Sequence, residues 1–190
     1  PGETLILGIG QGYMQSTPLQ LAQATALMAT RGKWIRPRLA RSIGGVPPVD
    51  TNPVPDIELK DPRYWDYAIQ GMESVVHGPR GTARRVGQGS PYRIAGKSGT
   101  AQVVAIKQGE KYDSEKLDER HRDHALFVAF APAEDPRIAV AVMVENGESG
   151  SGVAGPMARQ VMDAWLLDEQ GQLKPEFAPA QAQKVVSRGN

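Results

Sequence analysis

Apolar spacing divides the chain into helices, then strands, then a last helix. Leu19, Ala22, Ala26 and Leu27 recur at the spacing of one helical face. Ahead of them, Thr17-Pro18-Leu19-Gln20 supplies a capping hydroxyl, a proline at the first helical position and a glutamine three residues after the cap. That is a capping box, and Gly32 provides the stop. Residues 44–55 are rich in proline with two glycines and read as a loop. A second helix opens at Asp61-Pro62 with the stripe Trp65, Ala68, Ile69, Met72, Val75 and Val76, and Gly78-Pro79 ends it. Gly81-Thr82-Ala83 starts a short extra turn.

Three strands follow. Residues 93–106 are small or β-branched, with Val103 and Val104 well suited to a sheet. Residues 126–131 and 137–145 are joined by Pro132-Ala133-Glu134-Asp135-Pro136, a hairpin length that makes them antiparallel neighbours. Between the first two strands, residues 107–123 carry five basic and six acidic side chains, a solvated surface excursion. A last helix follows the glycine-rich stretch 147–152, with Val153, Met157, Val161, Ala164 and Trp165 on one face and Pro156 in its first turn. Met72, Met143, Met157 and Trp165 read as core residues. From Asp168 the chain turns polar and reads as a mobile tail, 168–190, after a domain of 1–167. The order is α+β: a three-strand antiparallel meander with flanking helices.

Composition narrows the function classes. With 22 basic and 21 acidic residues the formal charge is +1, too little to hold a phosphate backbone, so nucleic acid is not an expected partner. No apolar run reaches the ~18 residues of a membrane span. Without cysteine there are no disulfides or thiolate metal sites. Pro1-Gly2-Glu3-Thr4 does not resemble a natural start, and the chain reads as a piece of a longer one.

The sharpest chemical signal is Gly96-Lys97-Ser98-Gly99-Thr100-Ala101. A phosphate-binding loop fails here, because Pro91 stands where its leading glycine belongs and a strand rather than a helix follows. The other readings are a plain glycine-bearing surface strand and the K-[ST]-G element of serine penicillin-binding enzymes. In the latter, a strand lysine offers a fixed ammonium to a carboxylate, Gly99 clears space for a peptide, and the Thr100 amide donates to a developing oxyanion. Alternation puts Lys97 and Gly99 on one face and Ser98 and Thr100 on the other, and the open edge can take an added peptide strand.

His121, Asp123 and His124 lack a fourth ligand nearby, so no metal is expected. His77, at a helix end, reads as favouring the helix dipole. The stretch 147–152 lacks the last glycine of G-x-S-x-G, since Ser151 stands there, and reads as a flexible turn.

Several stretches then share an order with one family. Gly10-Gln11-Gly12 before Thr17-Pro18-Leu19-Gln20-Leu21-Ala22, Gly71-Met72 with Val75-Val76, Gly81-Thr82-Ala83 and the Lys97-Ser98-Gly99-Thr100-Ala101-Gln102 strand resemble class B penicillin-binding proteins. Arg122-Asp123-His124 before Ala125-Leu126-Phe127, Phe130-Ala131-Pro132 and Val144-Glu145-Asn146-Gly147 narrow the resemblance to members serving cell elongation. It implies the C-terminal half of the serine β-lactamase/penicillin-binding-protein transpeptidase fold. The implied activity is D,D-transpeptidation of peptidoglycan stem peptides, with β-lactams as inhibitors, elongation-machinery membrane proteins as partners and no cofactor. It also implies the periplasmic face of the inner membrane, with an anchor not in this sequence. By position, Lys97 and the Thr100 amide carry the catalytic roles, and Ser98, Gly99 and Thr100 bind substrate. None of the nine serines begins S-x-x-K or S-x-N. The nucleophile is therefore not on this chain, which alone is expected to be inactive. A non-catalytic module of the same fold, binding peptidoglycan through this strand, stays open.

Overall fold

The computed structural model describes residues 2–104 and 112–178. Helix α1 (Gly2–Gly8), not expected from the sequence, buries none of its residues. Helix α2 (Pro18–Ala29) begins at the foreseen capping box: Gln20 N donates to Thr17 Oγ1 at 3.2 Å, and Thr17 N donates to Gln20 Oε1 at 2.8 Å. Its end is fixed by Gly32, with φ +98°, where a Cβ would stand 2.2 Å from Ile57 O. The face that α2 buries differs from the expected one. Thr25 and Ala29 point inward while Leu19 is exposed. Helix α3 (Arg63–His77) buries Ile69 and Val76 from the predicted stripe, and Gly78 caps it. A single turn, α4 (Arg84–Gly87), follows.

The sheet is antiparallel in the order β1 (Ala95–Ala101), β2 (His124–Ala131), β3 (Ile138–Val144). Lys97 lies opposite Val128, Thr100 opposite Ala125 and Ala101 opposite His124. Strand β1 is shorter than the 93–106 expected. Its ladder ends where β2 begins, so Val103 and Val104 find no partner strand despite their propensity. Ile106 and residues 107–111 of the charged excursion lie outside the described residues.

Two apolar clusters sandwich the sheet. Ala29, Ile69, Ala95, Phe130 and Ala133 form one, on the side of α2 and α3. The larger gathers Val76, Val86, Ile94, Phe127, Val140, Met162 and Leu166 beneath α5 (Gly155–Leu166). Phe127, Met162 and Leu166 are fully buried, each worth about 1.5–3 kcal/mol. Helix α5 therefore turns Ala158, Met162 and Leu166 inward, and the expected face of Met157, Val161 and Trp165 is outward. The cause is close approach. A Cβ at Gly155 would meet Val86 Cγ2 at 2.7 Å, so the helix lies against the core on small residues rather than bulky ones. Met143, expected in the core, is also exposed.

After α5 the chain does not run straight off. Leu167 pairs with Leu173, and the turn Pro175–Phe177 sets the Phe177 ring 6.2 Å from that of Trp165. Leu173 and Phe177 pack against the larger cluster, so residues 168–178 are not the loose segment the polar composition predicted. Residues 179–190 lie outside the described residues.

Candidate functional site

Strand β1 is an edge strand, and two glycines, Gly96 within it and Gly150 packed on it, are demanded by their neighbours. A Cβ at Gly96 would stand 2.9 Å from Phe127 Cζ, inside the ring that fills the core beneath β1. Gly99 is covered by Gly150. A Cβ on Gly150 would lie 2.5 Å from both Gly99 O and Leu126 O. The glycine-rich stretch is thus packed on the centre of β1, with Gly150–Ala154 forming a π-helical turn that leads into α5.

Lys97 lies on the α3 side of the sheet. It borders a cavity of about 460 Å³ together with Gly71, Ser74 and Val75 of α3 and the loop from Gly78 to Thr82. Its Nζ donates to Ser98 O at 2.6 Å, which holds the ammonium at the open edge. Strand alternation sets Ser98 and Thr100 on the opposite face, in register with Phe127 and Ala125. The backbone of Thr100 faces outward, because its carbonyl accepts from Gln11 Nε2 at 2.6 Å. Amide and carbonyl of one strand residue point the same way, so the Thr100 N–H faces that edge too. The strand thus offers a cation, two hydroxyls and an outward amide within four residues. Such a set suits a carboxylate and a developing oxyanion.

Arg122-Asp123-His124 has a bracing role. His124 Nδ1 accepts from Asn146 N at 3.0 Å, Arg122 O accepts from Asn146 Nδ2 at 2.7 Å, and Asp123 O accepts from Glu148 N at 2.9 Å. Tyr112 Oη accepts from Asp123 N at 3.0 Å. These bonds hold Asn146 and Glu148, both at positive φ (54° and 59°), in the turn that delivers Gly150 to Gly99. His121 takes no part in these bonds. Among the described residues no three His, Cys, Asp or Glu side chains gather as metal ligands.

His77 departs from its dipole reading. Its Nε2 accepts from Ile94 N at 2.9 Å, so the ring is neutral and joins the end of α3 to the start of β1. Burial first, and Arg93 second, hold its pKa below the usual histidine value. A second brace reaches α5. Tyr92 Oη donates to Asp163 Oδ1 at 2.6 Å, Arg159 binds the same carboxylate at 2.8 Å, and its guanidinium lies 5.5 Å from the Tyr92 ring centre. Burial, followed by the Asp163 bond, pushes the Tyr92 phenol up from its ordinary value. A larger cavity of about 580 Å³ lies near this brace, bordered by His77, Tyr92, Arg93 and Phe177 but not by Lys97.

Sequence reasoning singled out Lys97 to Thr100 and did not reach Gln11, which the structure brings against the same strand. The available signal was its pair of flanking glycines. Gly10 and Gly12 have φ of 77° and 69°, the left-handed turns that bring the glutamine to β1.

Residues 2–163 match the family model described as Transpeptidase: Penicillin binding protein transpeptidase domain. The chain is similar to the peptidoglycan D,D-transpeptidase MrdA of Haemophilus influenzae, at 41% identity over 98% of this chain. It spans only 29% of that relative's length. Among solved structures it is similar to PBP2 of Pseudomonas aeruginosa in complex with WCK 5153. There the identity is 66% and the TM-score 0.82, covering 94% of this chain and 37% of that one. It also resembles the Helicobacter pylori penicillin-binding protein (PBP2) in complex with MreC. That match has 32% identity and a TM-score of 0.68, covering 86% of this chain and 27% of that one.

Proposed function

Because the chain belongs to the penicillin-binding protein transpeptidase family, we propose that β1 is the substrate strand of a peptidoglycan D,D-transpeptidase. A stem peptide ending in D-Ala-D-Ala lies extended along β1 as an added strand. The Ser98 and Thr100 hydroxyls receive a ligand carboxylate at this strand, and Lys97 adds its ammonium charge from the open edge where Ser98 O holds it. Gly99 leaves room for the chain, and the Thr100 N–H donates to the carbonyl oxygen under attack. The nucleophile is a serine of the full-length protein outside these residues. Its oxygen bonds to the penultimate D-Ala carbonyl carbon, the C–N bond breaks, and the departing D-Ala amine takes the serine proton. An amine of a neighbouring stem then attacks the ester. The new amide forms, the C–O bond breaks, and the serine oxygen regains a proton. β-Lactams acylate the same serine.

The observation that carries this reading is the outward amide of Thr100 beside Lys97 on an open edge. The complex of the H. pylori relative with MreC supports elongation-machinery membrane proteins as partners at the periplasmic face of the inner membrane. No described helix is long and apolar enough to cross a membrane.

The test is labelling with a fluorescent penicillin. The full-length protein should take the label covalently, Lys97→Ala should lower the labelling rate by roughly 10- to 100-fold (the worth of a hydrogen bond to a charged group), and the 190 residues alone should take none. Stem-peptide binding by a full-length protein that never labels would point instead to the non-catalytic module.

A further inference from the structure

The open edge of β1 is not bare. Gln11 Nε2 donates to Thr100 O at 2.6 Å, and Gln102 N donates to Gln11 Oε1 at 3.4 Å. A carboxamide presents an acceptor and a donor side by side, as a peptide group does, so Gln11 pairs with β1 as one link of an added strand would. The turn around it holds that pose. Gln11 N donates to Ile6 O at 3.1 Å, Gly10 N donates to Leu7 O at 2.9 Å, and a Cβ at Gly12 would meet Ile6 Cγ2 at 2.9 Å. Through these contacts α1 and its following turn carry a single side chain to the substrate strand, 89 residues away in sequence.

The position it occupies matters. An extended ligand on β1 can address two outward groups of Thr100, the N–H with a carbonyl and the C=O with an amide N–H. Gln11 takes the carbonyl and leaves the N–H open. We propose that Gln11 is a specificity-determining residue of this strand: its carboxamide competes with a ligand's own amide N–H for the Thr100 carbonyl. Ligands with such an N–H have to weaken or displace the Gln11 bond at that oxygen, whereas ligands without one bind with it in place. The inference rests on the reading of β1 as the substrate strand and adds a selectivity element to it.

Two β-lactams of different side-chain chemistry separate the cases in the full-length protein. Benzylpenicillin carries an acylamino N–H beside its lactam carbonyl; imipenem carries a hydroxyethyl group there. Both acylate by the same step, in which the serine oxygen bonds to the lactam carbon, the ring C–N bond breaks and the ring nitrogen takes the hydroxyl proton. The measurement is the ratio of second-order acylation rates, benzylpenicillin over imipenem, in wild type, Gln11→Ala and Gln11→Glu. Glutamate keeps the length of the side chain but has no N–H for the Thr100 carbonyl. Both variants should raise the ratio roughly fivefold, the worth of one neutral hydrogen bond. Should alanine fail to fold, the near-isosteric glutamate carries the test alone. An unchanged ratio overturns the proposal, and so does a rise in alanine that glutamate does not share, because space alone would then explain it. A wild type acylated by neither compound overturns the substrate-strand reading and this inference with it. That result is distinct from an unchanged ratio among acylating proteins.

Discussion

Gly150→Ala should damage acylation out of proportion to the small size of the change. A Cβ there would stand 2.5 Å from Gly99 O, 2.5 Å from Leu126 O and 3.0 Å from Gly99 N. All three are backbone atoms of the β1–β2 ladder, so no side chain can rotate away. Restoring ordinary contact, near ~3.5 Å for carbon, requires a shift of about 1 Å in the ladder or in the turn. Overpacking of this kind costs roughly 1–3 kcal/mol of stability. Gly99 precedes Thr100, so the shift reaches the outward amide, and a displacement of about 1 Å at a reacting group costs on the order of 100-fold in rate. Chemical denaturation of the full-length variant and its second-order acylation rate with benzylpenicillin measure both effects. Gly152→Ala is the comparison, since its nearest obstacle is Ser149 Oγ at 2.6 Å, a hydroxyl at the end of a side chain. It should slow acylation much less. A Gly150→Ala protein that loses stability but acylates within twofold of wild type would refute the reasoning, because the turn would then support the sheet without placing the amide.

Two further outcomes concern the braces. His77 is held below its ordinary pKa by burial, and then by Arg93, with Arg159 acting in the same direction and Glu73 and Glu134 against it. The unfolded chain therefore takes the proton first, so the contribution of His77 is complete above about pH 6.5 and is lost as pH falls through the depressed folded value. Wild type should lose more stability between pH 7 and pH 5 than His77→Gln, read by denaturant midpoints; equal losses would contradict the neutral acceptor role. Tyr92→Phe removes the bond to Asp163 while Arg159 keeps that carboxylate paired, and should cost about 1.5–3 kcal/mol. Because the phenol is pushed up, its contribution persists to about pH 10 and wanes as pH rises through the folded value. The phenylalanine variant should lack that alkaline loss in a denaturation series.

What could be read in the sequence was mostly local. The capping box at Thr17, the stop at Gly32, the α3 stripe and the β2–β3 hairpin depend on residues within a few positions of one another, and each appears in the fold. The errors came from contacts between distant segments. Val103 and Val104 favour a strand, but the ladder ends at the Ala101–His124 pair because β2 begins there. The buried face of α5 is chosen by Gly155 and Ala158, which let it approach the core, while bulk alone pointed to Met157, Val161 and Trp165. In the site, Lys97 to Thr100 were legible as a hexapeptide. Gln11 was not, because nothing in Gly10-Gln11-Gly12 says which strand the glutamine will meet.

The same division explains why β1 needs so much external support. It is paired along one edge only, and Gly96 and Gly99 deprive it of side-chain packing as well. Its placement is supplied from four directions. Phe127 lies under Gly96, Gly150 lies on Gly99, Gln11 holds the edge at Thr100, and His77 holds the amide of Ile94 just before the strand begins. Two of these leave no room for an added carbon, since a Cβ at Gly96 would stand 2.9 Å from Phe127 Cζ and one at Gly150 2.5 Å from Gly99 O. A third is the 2.6 Å hydrogen bond from Gln11 Nε2 to Thr100 O. Substitutions far from Lys97 in sequence should therefore alter acylation as strongly as many in the motif itself. The effect should follow the contact each makes with β1 rather than its distance along the chain.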